Sequence, residues 1–177
     1  MKIRRAELAD LNLCAALDRS FDTEQVWQMD ERRRGDELTV TFRTVRLPRT
    51  MRVTVPCVEE GILASWQQED ACFLVAEERG APVGLVDAAA PAGSDMVWVR
   101  NLVVDKRSRR KGIGSALMAS AIEWAGRLQA RGLAVAVQTK NYPAIAFCER
   151  LGLSFCGFND QHFANQDIAV YFVRPLR

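Results

Sequence analysis

The sequence predicts a mixed α/β fold in a single domain over residues 1–177, and three observations carry that expectation. Residues 95–105 (DMVWVRNLVVD) and 133–138 (LAVAVQ) are strand-like apolar runs. Between them Ile113, Leu117, Ala121, Trp124 and Leu128 recur at helical intervals. Strand, helix and strand make a βαβ unit, with parallel strands and a right-handed crossover. Ahead of it, ACFLVAEE (71–78) and VGLVDAAA (83–90) flank Arg79-Gly80-Ala81-Pro82 and read as a hairpin. Behind it, LSFCGF (153–158) and DIAVYFV (167–173) read as a final antiparallel pair. The sheet is therefore mixed and mostly antiparallel.

The remaining elements follow in order. Residues 2–5 form a short strand. Residues 7–19 carry Leu8, Leu11, Ala15 and Leu17 near helical spacing, with Asp10 and Asp18 facing out. The stretch 21–35 reads as irregular or partly helical. Residues 37–46 and 51–55 alternate like two strands of a hairpin around Leu47-Pro48-Arg49. Val58, Ile62 and Trp66 place a helix over 58–70, after Pro56. The helix from 112 should run to 131, with Gly132 as its C′ residue. The run 133–138 is nearly all apolar, as expected of a strand covered on both faces. Asn141 is a good N-cap, and Pro143 is harmless in the first turn of a helix closing at Leu151-Gly152.

Composition excludes several classes. A chain of 177 residues with 49% apolar content buries enough surface to fold without staples and is not disordered. Lys plus Arg is 24 against 22 acids, too balanced for a dedicated nucleic-acid binder. Cys14, Cys57, Cys72, Cys148 and Cys156 are odd in number and contain no C-x-x-C, so reduced thiols in a cytoplasm are expected. His162 is the sole histidine, which removes most metal sites. The start, MKIRRAELADLNL, lacks the apolar core of a secretory signal, and no run is long enough to span a membrane.

Chemistry concentrates in Arg107-Ser108-Arg109-Arg110-Lys111-Gly112-Ile113-Gly114-Ser115, between the strand and the helix. Two glycines let the backbone approach a ligand, and a helix N-terminus offers N–H donors and a positive dipole end. Arginines and a lysine add charge. Such a loop suits a pyrophosphate. The string is not a G-x-x-x-x-G-K-[ST] loop. A dinucleotide fold wants a third glycine or alanine, where Leu117 stands, and an acid after the next strand, where Gln138-Thr139-Lys140 stands. A nucleic-acid surface would interleave aromatics, and residues 105–116 have none.

Arg109-x-x-Gly112-x-Gly114 resembles the [QR]-x-x-G-x-[GA] signature of the GNAT superfamily of acyl-CoA N-acyltransferases. The lead-in Asn101-Leu-Val-Val-Asp105 is similar to that family's preceding strand. The string Asn141-x-x-Ala144-Ile145-x-Phe147-Cys148-Glu149-x-Leu151-Gly152 resembles its second motif, N-x-x-A-x-x-[FL]-Y-E-x-x-G-F. The resemblance covers roughly residues 83–160. It implies a GNAT-type fold with helices on both faces of the sheet and a splayed parallel pair, strands 95–105 and 133–138, at an acetyl-CoA cleft. It implies further that pantetheine pairs with the backbone of Leu102, Val103 and Val104. The pyrophosphate would lie on the N–H groups of Arg109, Arg110, Lys111, Gly112, Ile113, Gly114 and Ser115. Asn141 would bond the pantetheine region. A backbone N–H near Val103 or Val104 would polarise the thioester carbonyl. The activity implied is acetyl transfer from acetyl-CoA, without metal, directly to a primary amine.

An alkylammonium must lose a proton before it attacks, and the leaving thiolate must gain one. Where many members carry a tyrosine for the second task, this chain has Cys148. Three readings stay open: Cys148 is the acid, another donor or solvent serves, or Cys148 only fills space. General-base candidates are Asp87, Asp22 and Glu24. Asp22 and Trp27, within FDTEQVW, fall where members place the acceptor wall, and with Asp87 they suit a cationic amine. The strings VWQM (26–29) and Gln166-Asp167-Ile168-Ala169-Val170 lean toward the streptothricin acetyltransferase-like branch. Protein N-terminal or lysine acetylation and a non-catalytic CoA-binding module are the alternatives. His162, Phe155 and Phe158 read as structural. The family commonly forms dimers, although no residue here demands a homodimer. The 37–55 hairpin would shape acceptor specificity or a dimer.

Overall fold

In the computed structural model, residues 1–55 and 59–176 are described. The elements in chain order are β1 (Lys2–Arg5), a 3-10 turn (Leu8–Asp10), α1 (Leu11–Ala15), β2 (Phe21–Arg34), β3 (Glu37–Val53), α2 (Glu59–Gln67), β4 (Cys72–Glu78), β5 (Ala81–Ala89), β6 (Met96–Val104), a second 3-10 turn (Lys106–Ser108), α3 (Ile113–Arg127), β7 (Gly132–Gln138), α4 (Tyr142–Arg150), β8 (Ser154–Asn159) and β9 (Ala169–Pro175). The chain divides into two compact units. One holds Met1–Ser20, Thr54–Ala136 and Val173–Arg177; the other holds Phe21–Val53 and Val137–Phe172.

In the first unit the strand order is β1-β4-β5-β6-β7. β4, β5 and β6 are antiparallel, and β6 pairs with β7 in parallel, as the βαβ pattern predicts. α3 covers β4, β5 and β6. Its buried face is Ile113, Leu117, Met118, Ala121 and Ala125; of the stripe read from the sequence, Ile113, Leu117 and Ala121 lie on that face, whereas Trp124 is half-buried and Leu128 is exposed past the helix end. Gly84 permits this close approach: a Cβ there would stand 2.9 Å from the Val103 carbonyl and 3.2 Å from Leu117. Leu11, Cys14, Leu17 and Ile62 pack with Phe73, Val75 and Leu85. Trp66 joins them and donates its indole N–H to the Ala6 carbonyl at 2.8 Å.

Several expectations need correction. The helix expected over 7–19 is only a 3-10 turn and α1. Asp10 is buried rather than facing out, because it accepts from the Glu7 N–H and binds the Arg4 guanidinium. α3 stops at Arg127, because Gln129 takes a left-handed φ of 56°; Gly132 instead begins β7. Of the helix expected over 58–70, Glu59–Gln67 is helical, and Pro56 and Val58 lie outside the described residues.

The second unit carries the largest departure. Within the stretch 21–35, Phe21–Arg34 is a 14-residue strand, and 37–53 is one continuous 17-residue strand antiparallel to it, the chain turning at Gly35 (φ 58°). Leu47-Pro48-Arg49 is a bulge, not a turn. The register jumps from Thr23↔Met51 to Gln25↔Arg46, so residues 47–50 face a single residue, Glu24. A proline is tolerated there because no ladder N–H is required. In the same unit α4 packs on β2, and the Trp27 N–H bonds the Thr139 carbonyl at 2.9 Å. The Trp27 ring lies 5.8–6.1 Å from those of Phe42, Phe155 and Phe172.

Candidate active site

In the first unit, the candidate residues lie on β6 and the loop after it. Asp87↔Asn101 is followed by Ala88↔Val99, so Arg100 is an extra residue bulged out of β6. Among the described residues, the parallel register with β7 runs from Met96↔Gly132 to Val99↔Val135 and no further. β6 thus loses its β7 partner where the bulge begins. Beyond it, the Asp105 N–H bonds the Val83 carbonyl at 2.9 Å, which makes 105 and 83 a hydrogen-bonded pair. Antiparallel pairs alternate. The N–H and C=O of Val103 therefore point to β5, while those of Leu102 and Val104 point to the opposite side.

After β6 the chain turns through Lys106–Ser108, where Asp105 Oδ1 caps the Arg107 N–H at 3.0 Å. Arg110 (φ 64°) and Gly112 (φ 81°) both take left-handed backbone before α3 starts. The N–H groups of a helix's first turn have no intrahelical acceptor, and here the Ala116 N–H closes the first such bond, on the Gly112 carbonyl at 3.0 Å. Arg110, Lys111, Gly112 and Ser115 are exposed; Ile113 anchors the loop in the core. Exposed cations beside unpaired N–H donors at a helix start fit a pyrophosphate. Arg109 differs from its neighbours, since its guanidinium donates to three carbonyls: Val104 (2.9 Å), Ser20 (2.6 Å) and Asp18 (2.8 Å).

Asp87 is fully buried. Its Oδ1 accepts from Arg100 Nε (3.1 Å) and Nη2 (2.6 Å), its Oδ2 from the Asn101 amide (3.1 Å), and Arg100 Nη1 reaches the Gln68 carboxamide oxygen (2.6 Å). Arg100, which holds one of the Asp87 oxygens, carries no role in the sequence reading.

In the second unit, Asn141 caps α4, its Oδ1 accepting from the Ala144 N–H at 3.2 Å. Asp22 is exposed opposite Arg52 at the start of β2, and Trp27 is half-buried among aromatic rings. Asp22 and Trp27 lie on β2 rather than in an irregular or partly helical stretch. His162 bonds the Tyr171 hydroxyl through Nδ1 at 3.2 Å. Cys148 is 2% exposed within α4, and burial, with the Glu149 charge adding, pushes its thiol up to about 12. A group raised this far keeps its stabilising, protonated form below the ordinary thiol range and loses it as pH climbs from about 9 toward 12. Iodoacetamide at pH 9 should therefore label exposed Cys156 at least a hundredfold faster than Cys148 in the native protein. Peptide mass mapping checks this, and equal rates would contradict the buried placement.

Among the described residues no helix is long and apolar enough to cross a membrane, and no cluster of His, Cys, Asp or Glu is placed to hold a metal. A strand edge running into a glycine-bearing, cationic helix start suits a ligand with an extended arm and a phosphorylated end. The family model of the acetyltransferase (GNAT) family matches residues 37–153, and the chain belongs to that family. A nourseothricin acetyltransferase structure is similar over 99% of this chain and 98% of its own, at 25% identity and a TM-score of 0.84. A Bacillus anthracis str. Ames protein described as a streptothricin acetyltransferase, in complex with acetyl coenzyme A, shares the fold over 99% and 97%, at 18% identity and TM-score 0.78. So does the ribosomal-protein-S18-alanine N-acetyltransferase from Escherichia coli, over 99% and 93%, at 17% and 0.70. Comparison of the sequence with curated proteins finds no match.

Proposed function

We propose that this acetyltransferase carries the acetyl group of acetyl-CoA directly to a primary amine of a small cationic acceptor. The observation that carries the reading is the junction of β6 with α3: outward backbone groups at Leu102 and Val104, then a loop of donors and cations from Arg110 to Ser115. Acetyl-CoA supplies the activated acyl group. The N–H and C=O of Leu102 and the N–H of Val104 hold pantetheine, and the Val104 N–H, rather than that of Val103, polarises the thioester carbonyl. Backbone N–H groups over 109–115, with the charges of Arg110 and Lys111, hold the pyrophosphate. With Oδ1 of Asn141 engaged in capping, only its amide N–H groups donate to pantetheine.

For the acceptor, Asp22 and the face of Trp27 attract an ammonium, and Glu24 or Asp22 takes its proton through water. Asp87, with both oxygens bonded beneath Arg100, is a poor choice of base. Cys148 is a poor acid for the leaving thiolate. Donation from a thiol near 12 to one near 9 is uphill by roughly 4 kcal/mol. We assign it to packing, and a donor other than Cys148, or solvent, to the proton. The 25% identity to a nourseothricin acetyltransferase over nearly the whole chain supports a small acceptor. A cytoplasmic location fits this co-substrate and the buried thiols.

Thermal shift with acetyl-CoA, against NADH and ATP, tests the co-substrate. At a hundred times its Kd, acetyl-CoA adds about 2.7 kcal/mol and raises Tm by at least about 5 °C. Acetyl transfer to streptothricin-type and aminoglycoside antibiotics, polyamines and peptides then tests the acceptor. Turnover confined to peptides would replace the small-acceptor reading; acetyl-CoA binding without turnover on any amine would replace catalysis by a CoA-binding role.

A further inference from the structure

We propose that the Arg109 guanidinium is a positioning group rather than a phosphate ligand. It clasps Asp18–Ser20 to the end of β6 and ties the order of that segment to occupancy of the loop over 109–115. The proposal rests on the acetyl-CoA reading above for the loop's occupant, but the clasp itself is seen directly.

Each nitrogen of the guanidinium is directed at a main-chain carbonyl: Nε at Val104, Nη1 at Ser20 and Nη2 at Asp18. The first belongs to the outward side of β6. The other two lie past the end of α1, in a stretch without helix or strand. By taking the Val104 carbonyl, Arg109 also occupies one outward group of β6 and leaves those of Leu102 and the Val104 N–H. The rest of the segment is stitched to the same place. The Asp18 N–H reaches Asp105 Oδ2 at 3.4 Å, and the Ser20 N–H donates to Asp18 Oδ1 at 2.9 Å. Ser20 is 3% exposed, and the next residue begins β2. A guanidinium turned to a phosphate would abandon three charge-assisted bonds and weaken the join between the two segments. Lysine, a point donor on a flexible stem, cannot span all three carbonyls.

Arg109 thus has its backbone in the phosphate loop and its side chain on the segment that leads into β2. An anion bound to the loop restrains the backbone that carries the clasp, so occupancy and order at 18–20 are linked, and linkage is reciprocal.

Hydrogen exchange by mass spectrometry on the full chain, with acetyl-CoA titrated calorimetrically at several salt concentrations, tests this in the wild type, Arg109→Gln, Arg109→Lys and Arg110→Gln. Acetyl-CoA should slow exchange at residues 16–22 of the wild type at least about fivefold. In Arg109→Gln those amides should exchange at least about tenfold faster without ligand and no longer respond to it. Its acetyl-CoA Kd should move less than about threefold with an unchanged salt slope, while Arg110→Gln should lower that slope. Arg109→Lys should fall between the wild type and Arg109→Gln at 16–22, with α3 protection intact. The proposal is overturned if Arg109→Gln weakens acetyl-CoA tenfold or more and flattens the salt slope while exchange at 16–22 stays put. If the wild type binds no acetyl-CoA, the co-substrate reading and the coupling both fall. The clasp then stands or falls on exchange in the unliganded variants.

Discussion

Replacing Arg100 by methionine is expected to lower Tm by about 6–12 °C. Asp87 is fully buried and three N–H donors satisfy it, two of them from Arg100. Methionine fills much of the stem's volume but leaves a buried carboxylate with the Asn101 amide alone. Breaking a buried pair from one side costs about 3–5 kcal/mol. The lower end applies because the Arg100 side chain is 32% exposed, so water already shares its charge. For a chain of this length each kcal/mol moves Tm by about 2–4 °C. Adding Asp87→Leu should recover part of the loss, since two apolar residues leave no stranded charge. Calorimetric melts of the two single variants and the double give the coupling. A double variant as unstable as the sum of the singles would show that the pair does not act as a unit. Because Arg100 is the bulged residue where β6 loses its parallel partner, Arg100→Met should also loosen acetyl-CoA binding by a few-fold.

Much of this architecture was legible in the sequence, and the reasons are local. The α3 stripe of Ile113, Leu117 and Ala121 announces itself because that face is buried, while Leu128, which continues the spacing, is exposed past the end of the helix. β4, β5 and β6 stand out because apolar runs are interrupted by clear turn residues. The glycine loop was legible because its backbone needs a residue type: Gly112 adopts a φ few other residues take. The β2–β3 ribbon was legible only in part: 37–46 and 51–55 read as strands, but 21–34 did not, and the two segments read as paired with each other instead of with it. Both strands are mostly exposed toward the turn, so their apolar alternation is weak, and Pro48 reads as a breaker unless the partner's register is known. The short α1 was hidden for a different reason. Asp10 looks like a solvent-facing position of a longer helix until Arg4, on β1, is placed beside it.

Within the site, the backbone was easier to read than the side chains. The position of Arg109 in a phosphate-loop string says nothing about where its guanidinium goes, which depends on carbonyls some ninety residues earlier in the chain. The Asp87–Arg100 pair carried a usable signal that was passed over: two opposite charges, each inside an apolar run predicted to be a strand, have reason to be there only if they meet. Cys148 carried the reverse lesson. Its place in a motif suggests an acid, whereas its burial makes it a weak one.

Gly112→Val is expected to weaken acetyl-CoA binding by roughly 10–100-fold while leaving the fold in place. Gly112 holds φ at 81°, and nothing lies within 4 Å of where its Cβ would be, so the substitution meets no steric wall. The penalty is conformational. A β-branched residue is strongly disfavoured in the left-handed region, at about 1–3 kcal/mol, and an exposed loop escapes by rotating the peptide. That rotation turns away N–H groups proposed to face the pyrophosphate, and a hydrogen bond to a charged group is worth about 1.5–3 kcal/mol. The escape is local, because Ile113 and Leu117 stay buried and hold α3 to the sheet. Asparagine tolerates left-handed backbone, so Gly112→Asn should keep the Kd within about threefold of the wild type. Calorimetric titration of acetyl-CoA into both variants, with Tm recorded for each, separates the possibilities. Loss in Val with retention in Asn assigns the effect to backbone conformation at 112. Equal loss in both would mean that any side chain there obstructs the ligand, and retention in both would remove this loop as the seat of the pyrophosphate.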